Sequence, residues 1–387
     1  MQAVILAAGI GTRIYPFSLE KPKPLISVAN KPVLEHNLDH MVGLVSEAII
    51  IVGYKKDMII DHFGHYYKGI KLTYVIQEEQ KGTGHALLIA EKYIHEKCIV
   101  MNGDDLFSRT DIINLSCYDN CLLVQYKDDP SAFGAVVIEN NRVKEIVEKS
   151  PVLISHYVNT GLYCFSPEVF PLLHTLTPSI RGEYELTDAV KRLAEQNKMF
   201  AEIVQGYWIP VGYPWHILDA TELLLHQSET ISIKGKLGQN VRLSGTADIG
   251  ENSILCDNCV VSGNIVIGKN TQLGRNVTVS GFTAIGNSCV VADNVHLHNV
   301  VIGSNSVVGE SCSISDSVLG EDVTIDSGVT LTNCQPFHSP HLTVEVSING
   351  KVFDSGKEKL GAFVSDHSKV HHNLTPGQII NGVKHPD

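Results

Sequence analysis

Close to the amino terminus, the apolar run Val4-Ile5-Leu6-Ala7-Ala8 ends in Gly9-Ile10-Gly11-Thr12-Arg13, and Lys21-Pro22-Lys23-Pro24-Leu25 follows shortly after. Glycine amides behind a strand can approach phosphate oxygens closely where a helix begins. Arg13 and Lys23 supply cations for charge spread over a triphosphate. Taken alone, a G-x-G after a strand also serves as a plain βα turn. The spacing departs from the P-loop, which places G-K-[ST] after four spacers, and from the dinucleotide fingerprint, which needs a third glycine. Three further groups could do chemistry: Asn102-Gly103-Asp104, Glu148-Lys149 and Asn159-Thr160-Gly161. Singly, they read more readily as a turn aspartate, an exposed strand-end pair and a turn.

Positioning such groups requires a scaffold. Up to about residue 225, strand-like and helix-like segments alternate. The run at 4–8 is repeated in form by Glu47–Gly53 and Cys98–Gly103, with helix candidates at 32–45 and 84–95 between them. That alternation predicts an α/β domain with a mainly parallel sheet covered on both faces. Ligands of such sheets sit beyond the carboxyl ends of the strands, so the loops at 9–13, 53–57 and 103–106 should converge on one crevice.

After about residue 236 the pattern changes. Aliphatic residues recur every six positions from Leu237 through Leu243, Ile249, Leu255, Val261, Ile267, Leu273, Val279, Ile285 and Val291 to Leu297. After one skipped residue they resume at Ile302, Val308 and Ile314, and after another at Leu319, Ile325 and Leu331. Glycine commonly follows, as in Ile267-Gly268 and Ile285-Gly286, and reads as a turn glycine. An inward aliphatic with this period is the hexapeptide signature of a β-helix, whose short rungs bury their side chains only by stacking. The expected organisation is a first domain at 1–225, a polar linker at 226–236, the β-helix at 237–335, and an irregular extension at 336–387. In that extension, Leu342–Val346 and Gly350–Phe353 form a strand pair before a partial return of the period at 360–380; His371, His372 and Pro386 read as a loose end.

Composition narrows the function further. The 387 residues carry 30 Lys and Arg against 42 Asp and Glu, a formal net charge of −12, which argues against a nucleic-acid partner. No apolar stretch approaches the roughly 18 residues that span a bilayer, and the first residues lack a signal-peptide pattern. Nine scattered cysteines suit a reduced, cytoplasmic setting. Cys256-x-x-Cys259 lacks the second pair of a zinc site and reads as structural. The histidines at 338, 341, 367, 371 and 372 show no metal-ligand spacing.

The glycine loop and the Pro22-Lys23-Pro24-Leu25 that follows it resemble the signature L-A-A-G-x-G-T-R and P-K-P-L of the sugar-1-phosphate nucleotidyltransferases. The resemblance runs through the first 225 residues, and the tail is similar to that of two-domain members, with a left-handed parallel β-helix behind a Rossmann-like domain. It implies that Leu6, Ala8, Gly9, Gly11 and Thr12 hold the nucleotide and its phosphates, with Arg13 and Lys23 catalytic. Gln77, Gln80, Gly82 and Thr83 fall in a segment resembling the base-reading Q-x-x-x-x-G-T-x-H-A, where a glutamine suits a uracil or thymine edge. Asp104 matches the Mg²⁺ ligand; Gly134, Glu148, Lys149, Asn159, Thr160 and Tyr184 match positions that hold the sugar and its phosphate. The implied reaction joins N-acetylglucosamine 1-phosphate or glucose 1-phosphate to UTP or dTTP with release of pyrophosphate. Homo-oligomers, usually trimers, are expected of such β-helices.

Two positions depart from the pattern. Pro210 in Trp208-Ile209-Pro210 stands where the family usually has a second metal ligand, which opens the reading of a catalytically impaired, nucleotide-sugar-binding paralogue. Some relatives with this tail also acetylate an amino-sugar phosphate from acetyl-CoA. Glu310 replaces their histidine and Ser313 their tyrosine, whereas Asn333, Lys357 and Lys359 resemble the remaining positions, so acetyl transfer is expected to be lost or weak, with a bifunctional enzyme that retains it as the alternative.

Overall fold

The computed structural model describes residues 1–150, 152–229, 231–334 and 342–382; His338, His341 and Pro386 lie outside them. The chain forms two compact units. The first holds 1–10, 22–25 and 33–210, and the second holds 11–21, 26–32 and 211–387.

The first unit is built on a ten-stranded sheet. Its centre is parallel: β1 (Gln2–Ala7) lies between β2 (Glu47–Val52) and β4 (Cys98–Asn102), and β3 (Ile70–Ile76) follows β2. The strands β1, β2 and β4 are mostly apolar runs because both faces are covered, whereas β3 carries the exposed Lys71. Successive side chains enter opposite cores. Val4, Ile49, Ile51 and Val100 face one cluster together with α2 (Thr83–Leu88) and α4 (Leu186–Glu195). Ala3, Ile5, Ile50 and Met101 face the other with α1 (Val33–Met41) and α3 (Arg109–Ser116).

Beyond β4 the sheet continues with β9 (Tyr157–Phe165), antiparallel to both β4 and β6 (Cys121–Tyr126). Next to β6 runs β10 (Phe200–Ile203), and the far edge is the hairpin of β7 (Gly134–Glu139) and β8 (Arg142–Glu148). A separate ribbon pairs β5 (Asp105–Phe107) with β11 (Trp208–Pro210). The helix expected over 84–95 is shorter. Past Leu88, Ala90 and Tyr93 donate to carbonyls three residues back, which makes the continuation a tighter turn. Likewise α1 stops at Met41, ahead of Gly43 with its positive φ of 78°.

In the second unit, short parallel strands stack in register. Leu255 pairs with Leu273 and Leu273 with Val291, eighteen residues on each time. At the skipped positions the step shortens to seventeen, as from Ile285 to Ile302. From Ile249 to Leu331 each residue of the six-residue series is at most 2% exposed. Stacking begins earlier than the period suggested, since Ile231–Ile233 already pairs with Ala247–Ile249. It also ends later: Ile379–Ile380 pairs with Phe363–Val364, Leu374 is buried, and His371 Nδ1 lies 2.6 Å from Asp326. His371 and His372 therefore lead into a further strand, which corrects their reading as a loose end. The glycines also need correction, since the left-handed turn residue comes two places later. Asn270 and Ser288 both have φ of 56°. Gly268 and Gly286 are instead required by closeness, because a Cβ would stand 2.6 Å from Gly286 carbon and 2.5 Å from Ser304 nitrogen.

Among the described residues no helix is long and apolar enough to cross a membrane. All nine cysteines are free; Cys259 is buried with its thiol donating to the Gly274 carbonyl at 3.0 Å.

Candidate active site

The carboxyl end of β1 is the hub of the first unit. The Tyr54 and Gln80 side of this hub forms through the Ala8 carbonyl, which accepts the Tyr54 amide at 3.4 Å and Gln80 Nε2 at 2.9 Å. On the other side the Gly103 amide donates to the Leu6 carbonyl at 2.9 Å. The loops at 53–57 and 103–106 thus flank β1 as its parallel position requires. Gly9 and Ile10 are exposed, and a Cβ on Gly9 would meet nothing within 4 Å, so the space above β1 is open. Gly11, Thr12 and Arg13 belong to the second unit, where Gly11 is left-handed and the Arg13 guanidinium lies over the Tyr213 ring.

Lys23 lies in a short turn flanked by Pro22 and Pro24 and is 7% exposed. Its ammonium pairs with the Asp104 carboxylate, whose side chain keeps 34% exposure. Behind them stands Asp105, which the sequence reading missed. It is 6% exposed, and its Oδ2 accepts Trp208 Nε1 at 3.3 Å and Asn102 Nδ2 at 3.5 Å. Burial, then the negative charge of Asp104, pushes the Asp105 pKa well above the usual carboxylate range. Asp105 is also the residue paired across the ribbon with Pro210. The doubled acid in Gly103-Asp104-Asp105 was the available signal.

The segment from Gln77 to Thr83, expected to read the base, is closed locally. Gln77 is 6% exposed, and its Nε2 lies 3.2 Å from the Gly82 carbonyl and 3.0 Å from His85 Nδ1. Burial, then Lys81, lowers the His85 pKa. Gly82 has φ of 98° and a Cβ there would sit 2.6 Å from the Tyr184 carbonyl oxygen. This packing ties the segment to Tyr184, whose amide donates to the Lys81 carbonyl at 2.8 Å. Thr83 Oγ1 accepts the Leu186 amide at 3.1 Å.

The remaining predicted positions meet at β7, β8 and β9. Gly134 pairs with Glu148, and a Cβ on Gly134 would stand 2.9 Å from Glu148 Oε2 and 3.5 Å from Asn159 Cβ. Glycine there keeps a groove open between the two side chains. Burial raises the Glu148 pKa, and Arg181 nearby, with a nitrogen at 3.7 Å, opposes that. Lys149 is exposed in a left-handed conformation. Thr160 differs from expectation: it is 1% exposed and its hydroxyl donates to the Leu123 carbonyl at 2.8 Å, so it faces the core instead of the groove. Gly161 joins this groove to the acidic loop, since a Cβ with its φ of 84° would fall 2.2 Å from Asn102 Nδ2.

The sheet and this arc of residues define the class, and the family model for nucleotidyl transferase matches residues 2–227. The chain belongs to that family. A model for the C-terminal domain of GMPPB matches residues 243–352. Among relatives, a bifunctional protein GlmU of Methanococcus maripaludis is 37% identical over 66% of this chain and 61% of its own length. The chain thus spans less than two thirds of that relative. A UTP–glucose-1-phosphate uridylyltransferase, AglF, of Haloferax volcanii is 38% identical over 55% of this chain and 92% of its own. A bifunctional sugar-1-phosphate nucleotidylyltransferase/acetyltransferase of Sulfurisphaera tokodaii is 29% identical over 99% of this chain and 94% of its own. A Bacillus anthracis crystal structure assigned as a glucose-1-phosphate thymidylyltransferase, in complex with sucrose, superposes with a TM-score of 0.54 at 27% identity, covering 60% of this chain and 98% of that one.

Proposed function

We propose that the protein transfers a nucleotidyl group from UTP or dTTP to N-acetylglucosamine 1-phosphate or glucose 1-phosphate, releasing pyrophosphate. The observation that carries this is the Lys23–Asp104 pair set beside Gly103 at the carboxyl end of the central parallel strands. A sugar-phosphate oxygen attacks the α-phosphorus in line with the departing pyrophosphate. Such a reaction needs positioning and charge neutralisation more than proton transfer. Lys23 serves the α-phosphoryl group, Arg13 the leaving pyrophosphate and Lys149 the attacking phosphate. Leu6, Ala8, Gly9, Gly11 and Thr12 hold the nucleotide, Gln77, Gln80, Gly82 and Thr83 the base, and Gly134, Glu148, Asn159 and Tyr184 the sugar.

Members of the family use a divalent metal, and the half-exposed Asp104 oxygens fit Mg²⁺, which takes one or two carboxylates with substrate phosphates and water. When bound, Mg²⁺ supplies charge neutralisation at the phosphates. The stacked second unit reads as a left-handed parallel β-helix, and a homotrimer through it is our expectation. A division near residue 225 and a cytoplasmic setting belong to this reading, while the stack passes the expected limits of 237–335 and runs from Ile231 to Ile380. A bifunctional enzyme that retains amino-sugar-1-phosphate acetyl transfer is a second reading, favoured by the relative of Sulfurisphaera tokodaii over nearly the whole chain; against it, Asn333 donates to Asp316 at 2.5 Å, Lys357 pairs with Asp219, and Glu310 stands exposed at the histidine's place.

The test is pyrophosphate release over a panel of sugar 1-phosphates with UTP, dTTP and Mg²⁺. One pyrimidine triphosphate should support turnover. Triphosphate binding without turnover across the panel, restored by Pro210→Asp, would instead support the impaired paralogue.

A further inference from the structure

Arg13 is held in an unusual way within the second unit. Its guanidinium carbon lies 5.4 Å from the centroid of the Tyr213 ring. Stacking on an aromatic face orients an arginine without engaging its N–H groups, which stay available for phosphate oxygens. The Tyr213 ring is itself fixed: it stacks on Trp215 with centroids 4.7 Å apart and 5° between planes, and Trp215 is 3% exposed. A further aromatic neighbour is Phe353, at 5.3 Å.

Phe353 comes from the C-terminal hairpin of Glu345–Ile348 and Lys351–Asp354. The turn between them is Asn349-Gly350, with φ of 49° and 76°, as a two-residue type I′ connection requires. Val346 and Ile348 are buried, so one face of the hairpin is anchored. Its base is closed by the Val344 amide on the Lys357 carbonyl at 2.7 Å and by the Lys357–Asp219 ion pair. At the tip, Asn349 Nδ2 donates to the Thr12 carbonyl at 3.3 Å. Two neighbouring residues of the phosphate loop are thus each touched, directly or through Tyr213, by one hairpin.

We infer that Asn349, Phe353 and Tyr213 are positioning residues for the nucleoside triphosphate: the hairpin sets Thr12 and Tyr213, and Tyr213 presents Arg13 to the phosphates. The inference rests on the proposed role of Arg13. Neither residue of the hairpin touches substrate in this scheme; each acts through the loop.

The experiment compares Asn349→Gly, Phe353→Ala and Phe353→Tyr with the full-length protein. Glycine tolerates the left-handed turn, so Asn349→Gly removes the amide without straining the hairpin. It should raise the KM for UTP or dTTP about 3- to 10-fold, the range of one lost hydrogen bond, while the KM for the sugar 1-phosphate stays put. Phe353→Ala should raise the triphosphate KM about 10-fold through loss of the ring contact, and Phe353→Tyr should restore it. A merely structural hairpin would lower the melting temperature and leave the ratio of the two KM values unchanged, and that outcome overturns the inference. Should the unaltered protein show no turnover, the proposed reaction fails but the inference is still read by calorimetric titration with the triphosphate alone. Equal Kd values for Asn349→Gly, Phe353→Ala and the unaltered protein would then refute it.

Discussion

Along β1 the residues from Ala3 to Ile5 are wholly buried and alternate between two cores, whereas along the stack burial recurs with the six-residue period, at the inward aliphatic and at the residue two places before it, as in Val277 and Val279, and feeds one core. The sheet needs helices to cover its faces, so its connections are long and irregular. Each stacked strand is covered by the next one, and its connections shrink to a glycine and a left-handed asparagine or serine. Irregular connections at the strand ends are where unlike side chains such as Lys23 and Asp104 are brought together. The regular stack offers the same few residue types at every step, among them ladders of asparagines such as Asn258 on Asn276 at 3.3 Å. Chemistry therefore concentrates in one region and repetition in the other.

The most severe way to separate the two regions is Lys23→Met, which keeps the side-chain volume and removes the charge that pairs with Asp104. Turnover should fall about 10²- to 10³-fold, the usual cost of one charge-stabilising group, with the melting temperature nearly unchanged. A variant that keeps more than a tenth of the activity would remove Lys23 from the chemistry.

That contrast also explains what the sequence made legible. A period of six is a one-dimensional signal, so the register, including both skipped residues, could be followed to Leu331, and burial agrees from Ile249 onward. At the edges the signal weakens: the strand Ile231–Ile233 precedes the first inward aliphatic, and Ile379–Ile380 joins the stack only after the intervening hairpin. In the first unit the strands at 47–52 and 98–102 stood out as apolar runs, whereas the antiparallel β9 between β4 and β6 carried no local mark of its position. Single positions depended on long-range packing. The inward turn of Thr160 onto Leu123 and the contact of Gly161 with Asn102 join residues 37 and about 59 apart in sequence, and no motif reports such contacts.

The reverse experiment alters the repetitive region. Ile285 is fully buried in the stack core, and Ile285→Ala should cost about 2–5 kcal/mol through lost transfer energy and the cavity left behind. A lowered unfolding midpoint in denaturant measures it, and the specific activity of the remaining folded protein should hold. Activity that falls in step with Lys23→Met would show that the division of labour between the regions is wrong.

The smallest effect concerns Asp105, which is buried next to Asp104 and accepts from Trp208 and Asn102. Because burial and Asp104 raise its folded pKa above the unfolded value, the folded state keeps a proton that the unfolded chain has already released. Stability tied to Asp105 is therefore present at low pH, below the ordinary carboxylate pKa of about 4, and is lost as the pH rises toward the raised folded value. Asp105→Asn preserves an acceptor for Trp208 and cannot ionise. The melting temperature of Asp105→Asn relative to the unaltered protein should climb across that interval and level off above it. A difference that stays flat with pH would mean that Asp105 is ionised in the fold and balanced by Lys23, which would place it in the charged cluster instead of beneath it.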